Sequence, residues 1–309
     1  MDLSTWIKIA VVAMFLSSAI YIHFRGRVRH RFKRQLTDHS TFMAPYNVFV
    51  YARSAVPNTP ILKVDEFPEL KLLRDNWEII RDEAQQLYGR GLIRQSDKTN
   101  DLAFNSFFRK GWTRFYLKWY RDYLPSALQA CPRTIELLRQ TPSVKAAMFT
   151  VLQPHSNLGE HRDPFAGSLR YHLGLVTPNS DDCAIWVDGN KYAWRDGQDV
   201  VFDETYVHSA KNDTDQYRII LFCDIERPMK GPISRAVNHA FGRVMVAAAA
   251  SRNLPEEKLG AFNHLFAYIY SIRRAGKWMK DRSKRGYYAL KYVAMAAFAA
   301  WIFLPPLHP

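Results

Sequence analysis

His161 and Asp163 stand two residues apart in the chain, and a second histidine, His208, follows at a distance. In an extended chain residues i and i+2 point the same way. His161 and Asp163 can therefore grip one metal ion from a single strand end, and His208, from a distant strand, completes a triangular face. Two imidazoles and one carboxylate suit iron(II) of the non-haem oxygenase type, with the opposite positions open for a cosubstrate and dioxygen. No cysteine lies among them to favour a closed zinc site. Ten residues after His208, Arg218 opens an apolar run. A guanidinium there needs a strong partner, and its fork can meet a dicarboxylate at two points.

Such ligands need rigid elements behind them. Short apolar runs with turn signals between them occupy residues 144–152, 169–176, 183–187, 200–202 and 217–225. Asp188-Gly189-Asn190 separates two of these like a hairpin turn. Strands at this spacing predict a sandwich or jelly roll. Along residues 169–173, Arg170 and His172 share one strand face, while Leu169, Tyr171 and Leu173 share the other. His155 lacks a carboxylate two residues on, so it is a weak competitor as a ligand. Asp203 and Glu204 could reach a metal, but their place before His208 suits them better to orienting its loop. Asp181-Asp182 reads as a turn.

At these residues the chain resembles the aspartyl/asparaginyl β-hydroxylase family of iron(II)/2-oxoglutarate dioxygenases. The resemblance lies in Leu169-Arg170-Tyr171-His172-Leu173-Gly174-Leu175, in Val201-Phe202-Asp203-Glu204 with Tyr206-Val207-His208, and in Tyr217-Arg218-Ile219-Ile220-Leu221. Gly111-Trp112-Thr113-Arg114-Phe115 looks like a more remote family element that closes over the cosubstrate. Together they run from about Trp112 to Pro228. The resemblance implies a double-stranded β-helix, iron(II) on His161 and His208, and 2-oxoglutarate held by Arg218, Arg170, His172, Thr150 and Trp112. Family members that hydroxylate protein side chains in animals have glycine where this chain has Asp163. That departure, with an apolar segment at each end, makes the bacterial lipid A 2-hydroxylase branch the closer likeness.

The 309-residue chain is 48% apolar, enough for one full core with appendages, and its Lys and Arg outnumber Asp and Glu by 43 to 29. A formal charge of +14 suits either nucleic acid or an anionic membrane surface. Its distribution favours the membrane, because both basic clusters adjoin apolar segments. The first segment, residues 3–24, is followed by Arg25, Arg27, Arg29, Arg31, Lys33 and Arg34. The positive-inside rule then predicts a bacterial inner-membrane anchor with the catalytic body in the cytoplasm. Three cysteines without metal spacing fit a reducing compartment.

The expected architecture is an all-β catalytic core with flanking α-helices and terminal membrane helices. Residues 1–24 would anchor, 25–68 form a basic juxtamembrane segment and linker, and 69–232 carry the dioxygenase domain. Residues 70–88 carry a helical apolar stripe. Residues 133–140 suit a short helix beside the barrel, and the aromatics of 112–123 suit core or channel lining. Residues 233–286 hold two amphipathic stretches, 233–251 and 255–275, and a second basic cluster from Arg273 to Arg285. Packing on the barrel is the first expectation for both stretches, with membrane-surface docking close behind. Residues 287–309 form a hydrophobic segment expected to span. The expected substrate is an acyl chain of lipid A, hydroxylated at its 2-position. The alternatives are the same chemistry on an ornithine lipid or on protein Asp and Asn side chains, and a non-enzymatic lipid-binding barrel.

Overall fold

A computed structural model describes residues 3–35, 38–94, 107, 110–120, 122–246, 249–258, 260, 275–276 and 278–303. Eleven strands among these form two antiparallel sheets, and the strand order explains where the site falls. The larger sheet runs β1 (Ile61–Leu62), β9 (Asp199–Phe202), β6 (Ser168–Val176), β11 (Arg218–Glu226), β4 (Val144–Leu152), β2 (Trp112–Trp119) and β3 (Asp122–Tyr123). The smaller runs β5 (Ser156–His161), β10 (His208–Asn212), β7 (Cys183–Val187) and β8 (Asn190–Ala193). This is the expected all-β jelly-roll core.

The central strands of the larger sheet, β4, β6 and β11, are nearly continuous runs of buried residues. Such runs mark strands covered on both faces. One face packs on helices, including Trp77–Gly89, which buries Ile80, Ala84 and Leu87. The other face meets the smaller sheet, so Leu158, Ile185 and Ala210 join Leu152, Phe202 and Phe222 in one apolar core. Asp188 and Gly189 make the two-residue turn between β7 and β8, with φ of 50° and 82°. Positive φ at both positions is what that tight hairpin demands, and Gly189 meets it without a Cβ.

Several expected elements fall elsewhere. Residues 25–68, expected as a basic juxtamembrane segment and linker, contain the helix Ala44–Arg53. Proline in the first turn of a helix costs no hydrogen bond, because its missing N–H would have no partner there. The stripe of residues 70–88 is split at Asn76 into Lys71–Asp75 and Trp77–Gly89. The helix Pro232–Phe241 does not turn its apolar face to the barrel. Ile233 is 78% exposed, whereas Ser234 and Asn238 are buried. Asn238 is drawn in by hydrogen bonds to the Gly167 carbonyl and from the Tyr46 hydroxyl, a polar latch that periodicity cannot foresee. The stretch 261–274 lies outside the described residues, and with it most of the second amphipathic stretch and part of the second basic cluster.

The helix Leu3–Phe24, with a mean hydropathy of 1.8 over its best window, is long and apolar enough to cross a membrane. Among the described residues it is the one helix that is. The helix Lys284–Phe303 begins with Lys284 and Arg285 and carries Lys291. All three cysteines are buried and free.

Candidate metal centre and cosubstrate pocket

His161 closes β5 and His208 opens β10, and the antiparallel register pairs these two residues directly. Their rings lie 4.1 Å apart between centroids. Asp163 follows two residues after His161, and its amide donates to the Glu204 carbonyl at 2.9 Å, which ties the two ligand-bearing segments together. One ligand atom from each of His161, Asp163 and His208 lies within 4.8 Å of the others, the one such grouping among the described residues. The β10 register shifts just after His208, a local irregularity of the kind that re-aims side chains beside sites.

Whether this set suits a metal is decided by which imidazole nitrogen is free. His161 Nδ1 lies 2.8 Å from the Gly159 carbonyl, and His208 Nδ1 lies 3.0 Å from the Tyr206 carbonyl. A carbonyl only accepts, so each Nδ1 carries the proton and each Nε2 is left with its lone pair. Burial, reinforced by His208, pushes the His161 pKa down to about 3. Burial lowers that of His208 too. Both rings are therefore neutral, as metal ligation requires. The donor set fits iron(II).

Arg170 holds the carboxylate. Its Nη2 lies 2.9 Å from Asp163, its Nε donates to Asp224 at 2.9 Å, and it also pairs with Glu204. Burial opposes charge on Arg170, but Glu204, Asp224 and Asp163 outweigh it and raise its pKa. Burial in turn raises the pKa values of Glu204 and Asp224, which crowd a single cation.

A small pocket opens beside the triad, and Arg218, His172, Thr150 and Trp112 line it with Arg170, His161, Asp163 and His208. Arg218 is 2% exposed and has no carboxylate partner among the described residues. Its guanidinium stacks 4.3 Å over Trp194 and makes a long 3.4 Å contact with the Thr150 hydroxyl, and its Nε has no partner. Burial without a counter-charge lowers its pKa to about 10. An uncompensated buried cation at the wall of a cavity is a site for an anion. Both nitrogens of His172 also lack partners, and its ring packs 5.0 Å from Phe202 and Phe222. Phe107 stands 4.7 Å from the His161 ring.

The competing residues lie elsewhere. His155 is exposed and pairs with Asp215 at 3.0 Å, and Asp181 pairs with Arg195 on the surface. Asp203 accepts from the Thr205 amide at 3.0 Å and from Arg25 and Arg227, so it shapes the loop that leads to His208. Four residues that bracket the site carry no signal in the sequence. Asn47, fully buried, donates to the Pro164 carbonyl and accepts from the Ala166 amide, clamping the loop after Asp163. Tyr51 donates to the Thr205 hydroxyl. Arg25, just after the Leu3–Phe24 helix, donates to Asp203 and Thr205, and Arg162, between His161 and Asp163, reaches back to the Ile22 carbonyl in that helix.

A family model described as Aspartyl/Asparaginyl beta-hydroxylase matches residues 74–228. The chain is 34% identical over 190 residues to an ornithine lipid ester-linked acyl 2-hydroxylase of Rhizobium tropici, covering 59% of this chain and 66% of that protein. It is 27% identical over 173 residues to the human aspartyl/asparaginyl beta-hydroxylase, covering 54% of this chain and 22% of that one. Among solved structures, a Pseudomonas putida prolyl-4-hydroxylase aligns with a TM-score of 0.33 at 15% identity, covering 59% of this chain and 97% of that one.

Proposed function

The chain belongs to the aspartyl/asparaginyl beta-hydroxylase family, and on that premise we propose that it is a membrane-anchored, iron(II)- and 2-oxoglutarate-dependent acyl 2-hydroxylase. The observation that carries the reading is Arg218, a buried guanidinium without a counter-charge on the cavity that also holds three convergent metal ligands. His161, Asp163 and His208 would hold the iron, and Arg218 with Thr150 would hold the distal carboxylate of 2-oxoglutarate. With both bound, the site would convert a substrate C–H bond, dioxygen and 2-oxoglutarate into C–OH, succinate and carbon dioxide.

The chain's own residues have separate tasks in this scheme. The Gly159 and Tyr206 carbonyls fix the histidine tautomers. Arg170 aims Asp163, while Trp112, Leu158, Phe107 and Phe222 keep water from the reacting centre. His172 would donate a proton to a cosubstrate oxygen once a partner is there. The helix Leu3–Phe24 and the arginines after it would seat the barrel on the cytoplasmic face of an anionic inner membrane, where a lipid substrate is confined to two dimensions.

The substrate reading is the 2-carbon of an acyl chain on a membrane lipid. Lipid A follows from the sequence resemblance. An ornithine lipid is the second reading, favoured by the relative from Rhizobium tropici. Mass spectrometry of lipid extracts from cells with and without the protein separates them: one added oxygen is expected on the 2-position of one class. Unchanged lipids of both classes would overturn the reading.

A further inference from the structure

Side chains alternate along an extended segment, so Arg162 must leave in the direction opposite to His161 and Asp163. It is 1% exposed, and its Nη1 donates to the Ile22 carbonyl at 2.7 Å. That carbonyl lies in the last turn of the Leu3–Phe24 helix, where no backbone N–H of the helix remains to satisfy it and the helix dipole presents its negative end. Arg162 is thus a buried cation capping the helix from the metal side.

We infer that Arg162 is a positioning residue that locks the His161–Asp163 segment to the end of the Leu3–Phe24 helix, making that helix end part of the metal centre's scaffold. The inference rests on the reading of the three ligands as a metal site.

A second arm leaves the same helix end. Arg25 donates to Asp203 at 2.6 Å and to the Thr205 hydroxyl at 2.8 Å, in the loop that leads to His208. It is sandwiched between the Tyr51 and Tyr206 rings at 3.9 and 3.8 Å. A third follows directly. The amides of Arg27 and Val28 donate to Asp188 at 2.6 and 2.8 Å, beside Val187, which pairs with His208. Both ligand-bearing segments therefore refer their positions to one short stretch, Ile22 to Val28. A tether that only held the domain near a bilayer would need none of these bonds, and would leave Arg162 with no reason to be buried.

The test uses the full chain in detergent with cobalt(II) as probe, because its absorption spectrum reports ligand geometry. Arg162→Met should weaken cobalt(II) binding about tenfold or more, the range typical of residues that orient ligands, and should alter the ligand-field spectrum. Arg162→Lys, which can still reach the Ile22 carbonyl, should restore most of both. A folded Arg162→Met with the affinity and spectrum of the unmodified protein overturns the inference. If Arg162→Met does not fold, the measurement passes to Arg25→Lys, which loses the fork on Asp203 and Thr205. Weakened binding there supports the inference and unchanged binding overturns it. Neither lipid nor 2-oxoglutarate enters these measurements, so a failed lipid assay alone would strike the substrate reading and leave this one. Failure of the unmodified protein to bind cobalt(II) would instead strike the metal reading.

Discussion

His161 and His208 are cross-strand partners whose rings stand 4.1 Å apart, and each gives its Nδ1 proton to the carbonyl two residues before it. The backbone of each strand thus sets the tautomer of its own histidine. No other side chain is needed to leave both Nε2 lone pairs free to bind a metal.

His161→Ala, Asp163→Ala and His208→Ala are each expected to reduce hydroxylation to background while the protein stays folded, since an open site contributes less to folding than a closed structural one. Metal content by atomic absorption and far-ultraviolet circular dichroism separate the two effects. Full activity in any one variant would remove that residue from the ligand set.

Arg218→Lys keeps a cation above Trp194 but loses the fork. A charge-assisted hydrogen bond contributes about 1.5–3 kcal/mol, so the half-saturating concentration of 2-oxoglutarate should rise ~10- to 100-fold. Bound iron should be unchanged. A variant with unaltered cosubstrate dependence would mean that the dicarboxylate is held elsewhere.

Asp203 supplies a pH dependence that does not involve the ligands. It lies fully buried between Arg25 and Arg227, and although burial alone would raise its pKa, the two arginines hold it below the usual carboxylate range. A depressed folded pKa contributes stability above the unfolded value of about 3.9, and that stability is lost as pH falls through the folded value. Asp203→Asn should cost about 3–5 kcal/mol at neutral pH by leaving Arg227 uncompensated. The gap to the unmodified protein should narrow on acidification. Denaturant midpoints measured from pH 7 to 3 check this, and a constant gap would refute it.

What could be read from the sequence divides along a physical line. The strands and the convergence of His161, Asp163 and His208 were legible because strand alternation and the His161–Asp163 spacing are local properties. Arg162 was not, because its partner at Ile22 lies 140 residues away and is a backbone carbonyl, which leaves no mark in the sequence. Asn47 was hidden likewise, 117 residues from the Pro164 carbonyl it clamps. For Arg170 alternation shows the strand face but not its three carboxylate neighbours, and these bind it to Asp163 as well as to the cavity wall. Periodicity found the apolar face of Pro232–Phe241, but only the Asn238 latch decides which way that face turns.

The last prediction separates membrane seating from scaffolding along a single helix. Only Ser18 and Ile22 are buried in Leu3–Phe24, so the residues before them are free to enter a bilayer while the last two turns pack on the barrel. Removing residues 1–16 should lower membrane retention and leave the melting midpoint in detergent almost unchanged. Removing residues 1–24 deletes the buried Ile22 side chain, about 1.5–3 kcal/mol, and the carbonyl that Arg162 needs, about 1.5–3 kcal/mol more. For a domain of this size the midpoint should then fall by ~10 °C. The exposed arginines at 27, 29, 31 and 34 remain in both truncations, each adding about 1 kcal/mol of attraction to an anionic surface. Both should therefore still sediment with anionic vesicles at low salt and be released at high salt. Equal melting midpoints for the two truncations would show that the helix end carries no part of the fold, and the anchor would then be separable from the site it adjoins.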